Sequence, residues 1–390
     1  MKTNYSIWML VGQDIGSGSG YSRRVLFELE LLSQRYGKII LIYPESTTLP
    51  EEFEDLCIGR KIPFKRPALR NRFVIEQHLY DLMKDIGKPK IIYGQNLVSA
   101  YLLSSFSQKT NIPLFFDYHG VVPIEAREAS KNVKGLIKEG IYKYIENVTL
   151  RRTSTLVTVS ENFRETLKHK KGTIVLPMLP SNLFLKREGS LNKITKKSLG
   201  IQDDSVVFCY LGQAQHYQMP EATIRLYKDI EQALVKSHLI VLSKDIDTFK
   251  EYASKYKLKN WTVLRVSHNE VPDYLNVCDY GFVLRGPSQI NKVASPTKVL
   301  EYISQGVTPI FTEYVGDYSK ILPQQQLGIV FPYANLDIEN PLSEEKLRKL
   351  FSNRTGITKR EFEQNSLRFI QQYKERHIGD YLNSIHACLS

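Results

Sequence analysis

Cysteine is scarce and scattered in this sequence. The four cysteines among 390 residues are Cys57, Cys209, Cys278 and Cys388. They form no CxxC pair and have no histidine at metal-ligand spacing, which excludes the usual structural zinc sites and a disulfide scaffold. We expect them to be reduced and to pack as small apolar residues.

Long apolar runs are missing as well. No window holds the roughly 18 consecutive apolar residues of a transmembrane helix. The first apolar stretch, Ile7–Val11, is too short for the core of a secretion signal, and no small-residue cleavage pattern follows it. We therefore expect a cytoplasmic protein.

Acidic residues are outnumbered by basic ones. The 53 Lys and Arg against 41 Asp and Glu give a formal charge of +12. This excess indicates an anionic partner, which could be nucleic acid, a membrane surface or a phosphorylated small molecule. Residues 1–180 hold 26 basic and 18 acidic residues, so most of the excess lies in the first half.

Short apolar runs alternate with amphipathic segments along the whole chain, the pattern of parallel sheets covered by helices. The pattern predicts twelve strands, Ile7–Val11, Ile39–Tyr43, Ile91–Tyr93, Leu114–Asp117, Leu156–Val159, Ile174–Leu176, Val206–Leu211, Leu239–Leu242, Thr262–Arg265, Tyr280–Leu284, Pro309–Phe311 and Ile329–Phe331. The predicted helices include Tyr21–Arg35 and Glu125–Leu150.

The length and a proline-containing connector predict two domains. The stretch from Pro177 to Ser190 has two prolines, a glycine and no apolar periodicity. We predict an α/β fold with two doubly wound, Rossmann-like parallel-sheet domains, residues 1–180 and 181–375. If the domains face each other, ligands would bind in a cleft at the carboxyl ends of both sheets.

Glycines cluster after the first predicted strand. Gly16, Gly18 and Gly20 precede a predicted helix, whose bare N–H groups could bind a phosphate or sugar oxygen. The lysine of a Walker motif is missing. A turn that only reverses the chain explains the glycines equally well.

A histidine follows the predicted strand Leu114–Asp117, in Asp117-Tyr118-His119-Gly120. His119 could hydrogen-bond a substrate hydroxyl at the carboxyl edge of the first sheet. A structural role is the alternative interpretation.

Candidate anion-binding residues are densest late in the chain. Arg285 stands at the end of a predicted buried strand, where an unpaired charge is costly. Ser295 suits the N-cap of the next helix, and Pro296 suits its first turn.

An anion at this helix start would meet the helix dipole together with the Thr297 hydroxyl and the Lys298 ammonium. Glu301 lies one turn further along the same face, within reach of a ribose diol. A purely structural cap remains the alternative.

The segment Ser295–Pro309 resembles the nucleotide-binding signature of GT-B glycosyltransferases, in particular the family 4 group (glycosyl transferases group 1). Val157–Glu161 and Ile174–Pro177 are similar to that family's last N-domain strand and its crossing to the C-domain. The helix around Lys359–Leu389 resembles the C-terminal segment of the family, of which residues 376–390 would pack back on the N-domain.

This resemblance implies a GT-B architecture and sugar transfer from a nucleotide-diphosphate donor, with retention and without an essential metal or cofactor. It implies that Glu301 binds the ribose, while Arg285, Lys298 and the Thr297 N–H neutralise the leaving diphosphate. His119 and the Gly16–Gly20 loop would hold the donor sugar and phosphate from the N-domain side.

The sequence departs from the family pattern in two places. Val293 stands where many members have a glutamate that contacts the donor sugar. The loop Gly212–Tyr217 lacks the Arg and Lys that many members place there for the diphosphate. We still expect Gly212 to contact the donor, and Lys244, after the next predicted strand, could replace the missing Arg and Lys.

Other enzyme classes fit less well. Asp245-Ile246-Asp247 has the letters of a metal-binding DxD, but an N-cap role for one aspartate is the preferred interpretation. A nucleotide-sugar epimerase of similar fold would need paired carboxylates and histidines for its proton transfers, and the late motif offers only Glu301.

A basic segment in the first half suggests the acceptor. Lys134, Lys138 and Lys143 alternate with the apolar residues Leu136, Ile137, Ile141 and Tyr144. We expect contact with an anionic membrane or a lipid-linked acceptor, and the alternative is a solvated helix with a packed underside. A membrane- or nucleic-acid-binding protein without catalysis is the competing class, but no nucleic-acid-binding motif appears. The sequence as a whole predicts a glycosyltransferase of bacterial surface polysaccharide or glycolipid synthesis, at the inner face of the cell membrane.

Overall fold

The computed structural model describes residues 6–13, 15, 20–63, 72–130, 132–167, 172–185, 194–337, 341–352 and 357–390. The chain divides into two compact units. The first unit comprises Met1–Pro177 with Arg376–Ser390, and the second comprises Met178–Glu375.

The first unit is built on a seven-stranded parallel sheet. Its strands are β1 (Ile7–Leu10), β2 (Ile39–Pro44), β3 (Cys57–Ile62), β4 (Ile91–Gly94), β5 (Leu114–Tyr118), β6 (Thr155–Thr158) and β7 (Thr173–Val175). They lie in the order β3-β2-β1-β4-β5-β6-β7. Alternate residues of β1 face opposite sides of the sheet, so Met9 and Trp8 belong to different buried clusters.

Helices cover both faces of this sheet. They are α1 (Gly20–Tyr36), α2 (Glu51–Glu54), α3 (Arg72–Ile86), α4 (Leu97–Thr110), α5 (Val122–Glu128), α6 (Val133–Arg152) and α7 (Glu161–Thr166). Helix α1 packs Val25, Leu29 and Leu32 on the face that holds Met9, while α3 and α4 cover the face that holds Trp8.

The second unit has a six-stranded parallel sheet. Its strands are β8 (Val206–Leu211), β9 (Ser237–Leu242), β10 (Trp261–Leu264), β11 (Tyr280–Val283), β12 (Thr308–Phe311) and β13 (Ile329–Val330), in the order β10-β9-β8-β11-β12-β13. The order reverses between β8 and β11, and in doubly wound sheets the carboxyl edge at such a reversal is the usual place for a ligand.

The helices that follow β7 complete the chain. They are α8 (Asn182–Leu185), α9 (Pro220–Ala233), α10 (Ile246–Lys255), α11 (Val271–Leu275), α12 (Gln289–Val293), α13 (Thr297–Ser304), α14 (Tyr318–Gln324), α15 (Glu344–Ser352) and α16 (Lys359–Leu389). The last part of α16 belongs to the first unit. There Tyr381 and Ile385 join the cluster around Val25, and His377 Nδ1 lies 2.9 Å from the carbonyl oxygen of Val175.

The predicted fold of two doubly wound parallel-sheet domains is confirmed. The prediction missed β3, a strand at the sheet edge whose middle residues are partly buried or exposed and include Arg60 and Lys61, so that it lacks a continuous apolar run. The single helix predicted over Glu125–Leu150 was wrong. Helix α5 ends at Glu128, and α6 begins after Asn132, whose side chain accepts a hydrogen bond from Gly135 N.

The four cysteines are free, and all except the half-buried Cys388 are buried, as predicted. Over the described ranges, no helix combines the length and the apolar character needed to cross a bilayer.

Candidate functional site

Arg285 is held rigidly at the carboxyl edge of the second unit's sheet. It lies two residues beyond β11 and is only 6% exposed. Its backbone N–H donates to Thr312 Oγ1 (3.0 Å), and the same hydroxyl donates to the Arg285 carbonyl (2.6 Å). The guanidinium donates to the Tyr217 carbonyl (3.1 Å) and lies 5.0 Å from the centre of the Tyr217 ring. Burial lowers the pKa of Arg285, yet a guanidinium stays charged at neutral pH.

Lys298, in the first turn of α13, reaches the same edge. Its Nζ donates to the Leu211 carbonyl at the end of β8 (2.6 Å) and to Gln218 Oε1 (2.5 Å). Burial lowers the pKa of Lys298 to about 7, the charge of Arg285 adds to this effect, and Glu301 opposes it. The side chain is thus only partly charged at neutral pH, and a bound anion would favour its protonated form.

Gly212 makes room for this lysine. Its φ of +135° is a conformation that side chains rarely adopt. A Cβ at this position would lie 2.8 Å from Lys298 Nζ and 2.7 Å from Gln218 Oε1. The approach of Lys298 to the end of β8 therefore requires glycine here.

The predicted start of α13 was wrong by one residue. The helix begins at Thr297, with Pro296 in an extended conformation at the N-cap and no side chain capping the first turn. The Ser295 hydroxyl instead lies 3.1 Å from the Tyr318 hydroxyl, so it is not available as a cap. The N–H groups of Thr297 and Lys298 consequently have no capping side chain, whereas Val299 N donates to the Pro296 carbonyl at 3.1 Å.

Three further predicted residues lie in this unit. Glu301 is buried one turn beyond Lys298. Lys244 follows β9, is exposed, and makes no hydrogen bond or ion pair with the described residues. Asp245 stands at the N-cap of α10 as predicted, but its carboxylate caps no helix N–H and accepts a hydrogen bond from Ala214 N (2.7 Å), in the loop after β8.

His119 directly follows β5 in the first unit. Its Nδ1 lies 3.1 Å from Asp117 Oδ2, and about a quarter of its side chain is exposed. Since an ionised carboxylate only accepts hydrogen bonds, Nδ1 carries the proton and Nε2 is left for another partner. A sugar hydroxyl could fill that place.

A buried ion-pair network holds Asp117. Arg24 Nε and Nη2 each donate to one oxygen of Asp117 at 3.0 Å, and Arg24 Nε lies 2.7 Å from Glu28 Oε1. Burial by itself would raise the pKa of Asp117, but Arg24 and His119 hold it below its ordinary value. The pKa of Glu28 is raised to about 8 by burial and by the Asp117 charge, against the effect of Arg24.

Sequence reasoning missed Arg24, Tyr217 and Gln218. The sequence could have indicated a buried ion pair at Arg24, because this residue lies beside Val25 on the apolar side of α1 and four residues before Glu28. Tyr217 and Gln218 had none, since their role depends on where the loop after β8 places them.

The remaining predicted residues belong to the first unit. Gly16 and Gly18 lie outside the described residues, and Gly20 is the first residue of α1. The predicted acceptor or membrane residues Lys134, Lys138 and Lys143 are exposed on α6.

Comparison with known proteins places the fold. The sequence matches no protein-family model and no curated protein sequence. In structure, the chain is similar to sucrose-phosphate synthase from Thermosynechococcus elongatus, with a TM-score of 0.75, 14% identity and 99% of each chain covered. It is also similar to Anabaena HepE in complex with UDP, with a TM-score of 0.69, 11% identity, 97% of this chain and 100% of that chain covered.

A third similar structure is WaaG, a glycosyltransferase involved in lipopolysaccharide biosynthesis. The TM-score is 0.63 at 13% identity, with 94% of this chain and 95% of that chain covered. The chain therefore has the GT-B fold of these glycosyltransferases.

Proposed function

We propose that the chain is a retaining, metal-independent glycosyltransferase of the family 4 type, which moves a sugar from a nucleotide-diphosphate donor to a glycan or lipid-linked acceptor. One observation carries the proposal. Arg285, Lys298 and the uncapped start of α13 meet at one edge of the second unit's sheet, and neither cation forms an ion pair within the described chain.

Arg285 is buried and Lys298 is partly buried, and neither forms an ion pair with a carboxylate of the described residues. A bound anion would offset the cost of desolvating these two basic groups. A diphosphate fits, because it can contact both side chains and the helix N-terminus together. As the bond to the sugar breaks, negative charge grows on this diphosphate. Fixed cations there stabilise the transition state more than the ground state, so they would act in catalysis without a metal.

The remaining predicted residues take supporting roles. Glu301 would bind the ribose, and Lys244 would add charge at the neighbouring strand end. On the first unit, the Nε2 of His119 would accept a hydroxyl of the donor sugar, and Gly16–Gly20 would hold its phosphate. Retention of configuration follows from the sequence resemblance, and NMR of the anomeric proton in the product tests it.

UDP-sugars are the first donors to test, because HepE structures contain UDP and UDP-glucose. WaaG acts in lipopolysaccharide biosynthesis, which supports a role in surface polysaccharide or glycolipid synthesis. We place that role at the cytoplasmic face of the cell membrane, because the basic surface residues Lys134, Lys138 and Lys143 suit an anionic membrane or a lipid-linked acceptor.

A thermal-shift screen of nucleotide sugars identifies the donor, since at equal concentration a ligand that binds more tightly raises the unfolding midpoint further. With that donor, Lys298→Ala should lower turnover at least about tenfold, as expected for the loss of a charge-assisted contact worth about 1.5–3 kcal/mol. Lys250→Ala, an exposed lysine on α10, is the matched control. Unchanged turnover of Lys298→Ala at saturating donor would contradict the proposal, and sugar conversion without any acceptor would indicate an epimerase.

A further inference from the structure

Exposed apolar side chains are concentrated on the first twelve residues of α6. Ten large apolar residues are exposed in the described chain, and five of them lie on this helix. We call these five the outer stripe: Val133, Leu136, Ile137, Ile141 and Tyr144. Exposure reaches 70% at Val133 and 66% at Tyr144. Scattered apolar residues on a surface are ordinary, but a continuous stripe is characteristic of an interaction site.

The outer stripe points away from the protein. At about 100° per residue, its five positions fall within an arc of about 140°. The opposite side of the helix carries the buried Gly135, Ile145 and Thr149, and α6 packs there against α4 and α5. The apolar residues of the outer stripe are therefore exposed, and the packed underside of the helix is formed by Gly135, Ile145 and Thr149 instead.

Lysines border the outer stripe on both sides. On the same helical projection Lys134 lies about 20° beyond one border and Lys143 about 20° beyond the other, while Lys138 lies about 60° beyond the border that Lys134 follows. Lys143 pairs with Glu139 at 2.6 Å, whereas the other two lysines form no ion pair with the described residues. Lysine stems can lie along apolar material while their ammonium groups reach phosphates, which suits the headgroup layer of an anionic membrane.

The same lysines disfavour a second copy of the chain as the occupant. Two outer stripes brought face to face would place the lysine borders of both copies against each other, and like charges in contact are unfavourable. An anionic surface removes this repulsion. The positive charge beside the outer stripe therefore favours an anionic bilayer over a second copy of the chain as its binding partner.

The position of the outer stripe is fixed by its attachment. Asn132 caps the helix by accepting a hydrogen bond from Gly135 N at 3.2 Å. A Cβ on Gly135 would collide with the carbonyl oxygen of Ser130, so the helix start lies directly against the preceding loop. These two contacts at the start of α6 fix the direction in which its exposed side faces.

We propose that the outer stripe of α6 inserts into the headgroup region of a bilayer rich in anionic lipids, with Lys134, Lys138 and Lys143 contacting the lipid phosphates. The purpose of this contact rests on the proposed function, because it would bring the enzyme to a lipid-linked acceptor. The binding itself requires neither donor nor turnover.

Sedimentation of the full chain with vesicles tests the proposal. One vesicle set contains phosphatidylglycerol and phosphatidylcholine, and the other contains phosphatidylcholine alone. The combined variant Leu136→Gln, Ile137→Gln and Ile141→Gln should lower binding to the anionic vesicles at least about tenfold. The variant with Lys134, Lys138 and Lys143 all changed to Gln should lose the preference for anionic lipid.

Val235→Gln is the matched control, since Val235 is an exposed apolar residue of the second unit. It should bind vesicles like the unchanged protein. Glutamine is a good helix former, and unchanged unfolding midpoints would verify that the variants are folded.

Three results would overturn the proposal: no binding of the unchanged protein to anionic vesicles, equal binding to both vesicle sets, or a lipid-free dimer that the outer-stripe variant abolishes. The donor-induced thermal shift, measured on the same preparations, keeps the two proposals separate. A retained shift without vesicle binding refutes only the membrane surface, and vesicle binding without any donor shift refutes only the transferase.

Discussion

Donor binding should draw a proton into the second unit, because Lys298 is only partly charged before the diphosphate arrives. The pKa of this side chain is lowered to about 7 in the free protein. A diphosphate beside the ammonium raises it again. Between these two pKa values the complex holds more protons than the free protein, so affinity falls as the pH rises above 7. Below that range Lys298 is already charged and contributes no pH dependence.

The size of the effect follows from the free-state pKa. A group with a pKa of about 7 is half protonated at pH 7, so binding should take up about 0.5 proton there and about 0.9 proton at pH 8. Above pH 8 the affinity should approach a decline of about tenfold per pH unit. The slope ends where the pH reaches the raised pKa of the complex.

Isothermal titration calorimetry measures this uptake directly. UDP-glucose is titrated into the protein without acceptor, in two buffers of different ionisation enthalpy, at pH 6, 7 and 8. A nucleotide sugar suits the test because both of its phosphates are esterified and lack the ionisation near pH 6 of a terminal phosphate.

Lys298→Arg is the control for this experiment. Its guanidinium stays charged throughout the pH range, while every other residue of the protein is unchanged. The variant should bind with little proton uptake. Uptake near zero at pH 8 in the unchanged protein, or the same uptake in Lys298→Arg, would refute the reasoning.

Three further predictions concern stability. Gly212→Ala should lower the free energy of unfolding by about 1–3 kcal/mol and weaken donor binding, whereas Gly200→Ala, at a positive φ with open space around it, should leave donor binding unchanged; urea unfolding and calorimetry check both. Asp117→Asn should cost about 3–5 kcal/mol in urea unfolding, because Arg24 loses a buried partner, and a loss below about 1 kcal/mol would contradict this. The pKa of Glu28 is raised to about 8, so its contribution to stability is lost as the pH rises from about 4.5 to 8. Glu28→Gln should therefore flatten the decline of the unfolding midpoint over that range, and identical slopes would show that Glu28 is not its source.

The sheet strands were predictable because most of them are buried on both faces. Such strands read as continuous apolar runs, and the run Val206–Leu211 matches β8. β3 was not predicted, because a strand at the edge of a sheet can be partly exposed and does not need a continuous apolar run. The break between α5 and α6 escaped because it depends on an Asn132 cap and a close contact at Gly135, and neither changes the amphipathic pattern.

The candidate site was predictable only where charge stands out against an apolar background. Arg285 and Lys298 were found in this way, and the structure brings them to one edge. Tyr217, Gln218 and Thr312 hold these two cations, yet they are ordinary polar residues whose role arises from the crossing of separate loops. The residues around each of these positions do not indicate hydrogen bonds to partners so distant along the chain.

The direction in which the outer stripe faces depends on Gly135, a residue that is not part of the stripe. It is buried, bears no side chain, and lies on the inner side of α6. A mutational scan restricted to solvent-facing positions would pass over it. Any larger residue there would collide with the Ser130 carbonyl and push the start of α6 away from the preceding loop. The five apolar side chains and the lysines would be unchanged, but they would face a different direction. The orientation of the helix, as distinct from its composition, therefore depends on this one buried position, and variation there would change which way the surface of α6 faces while leaving the surface residues unchanged.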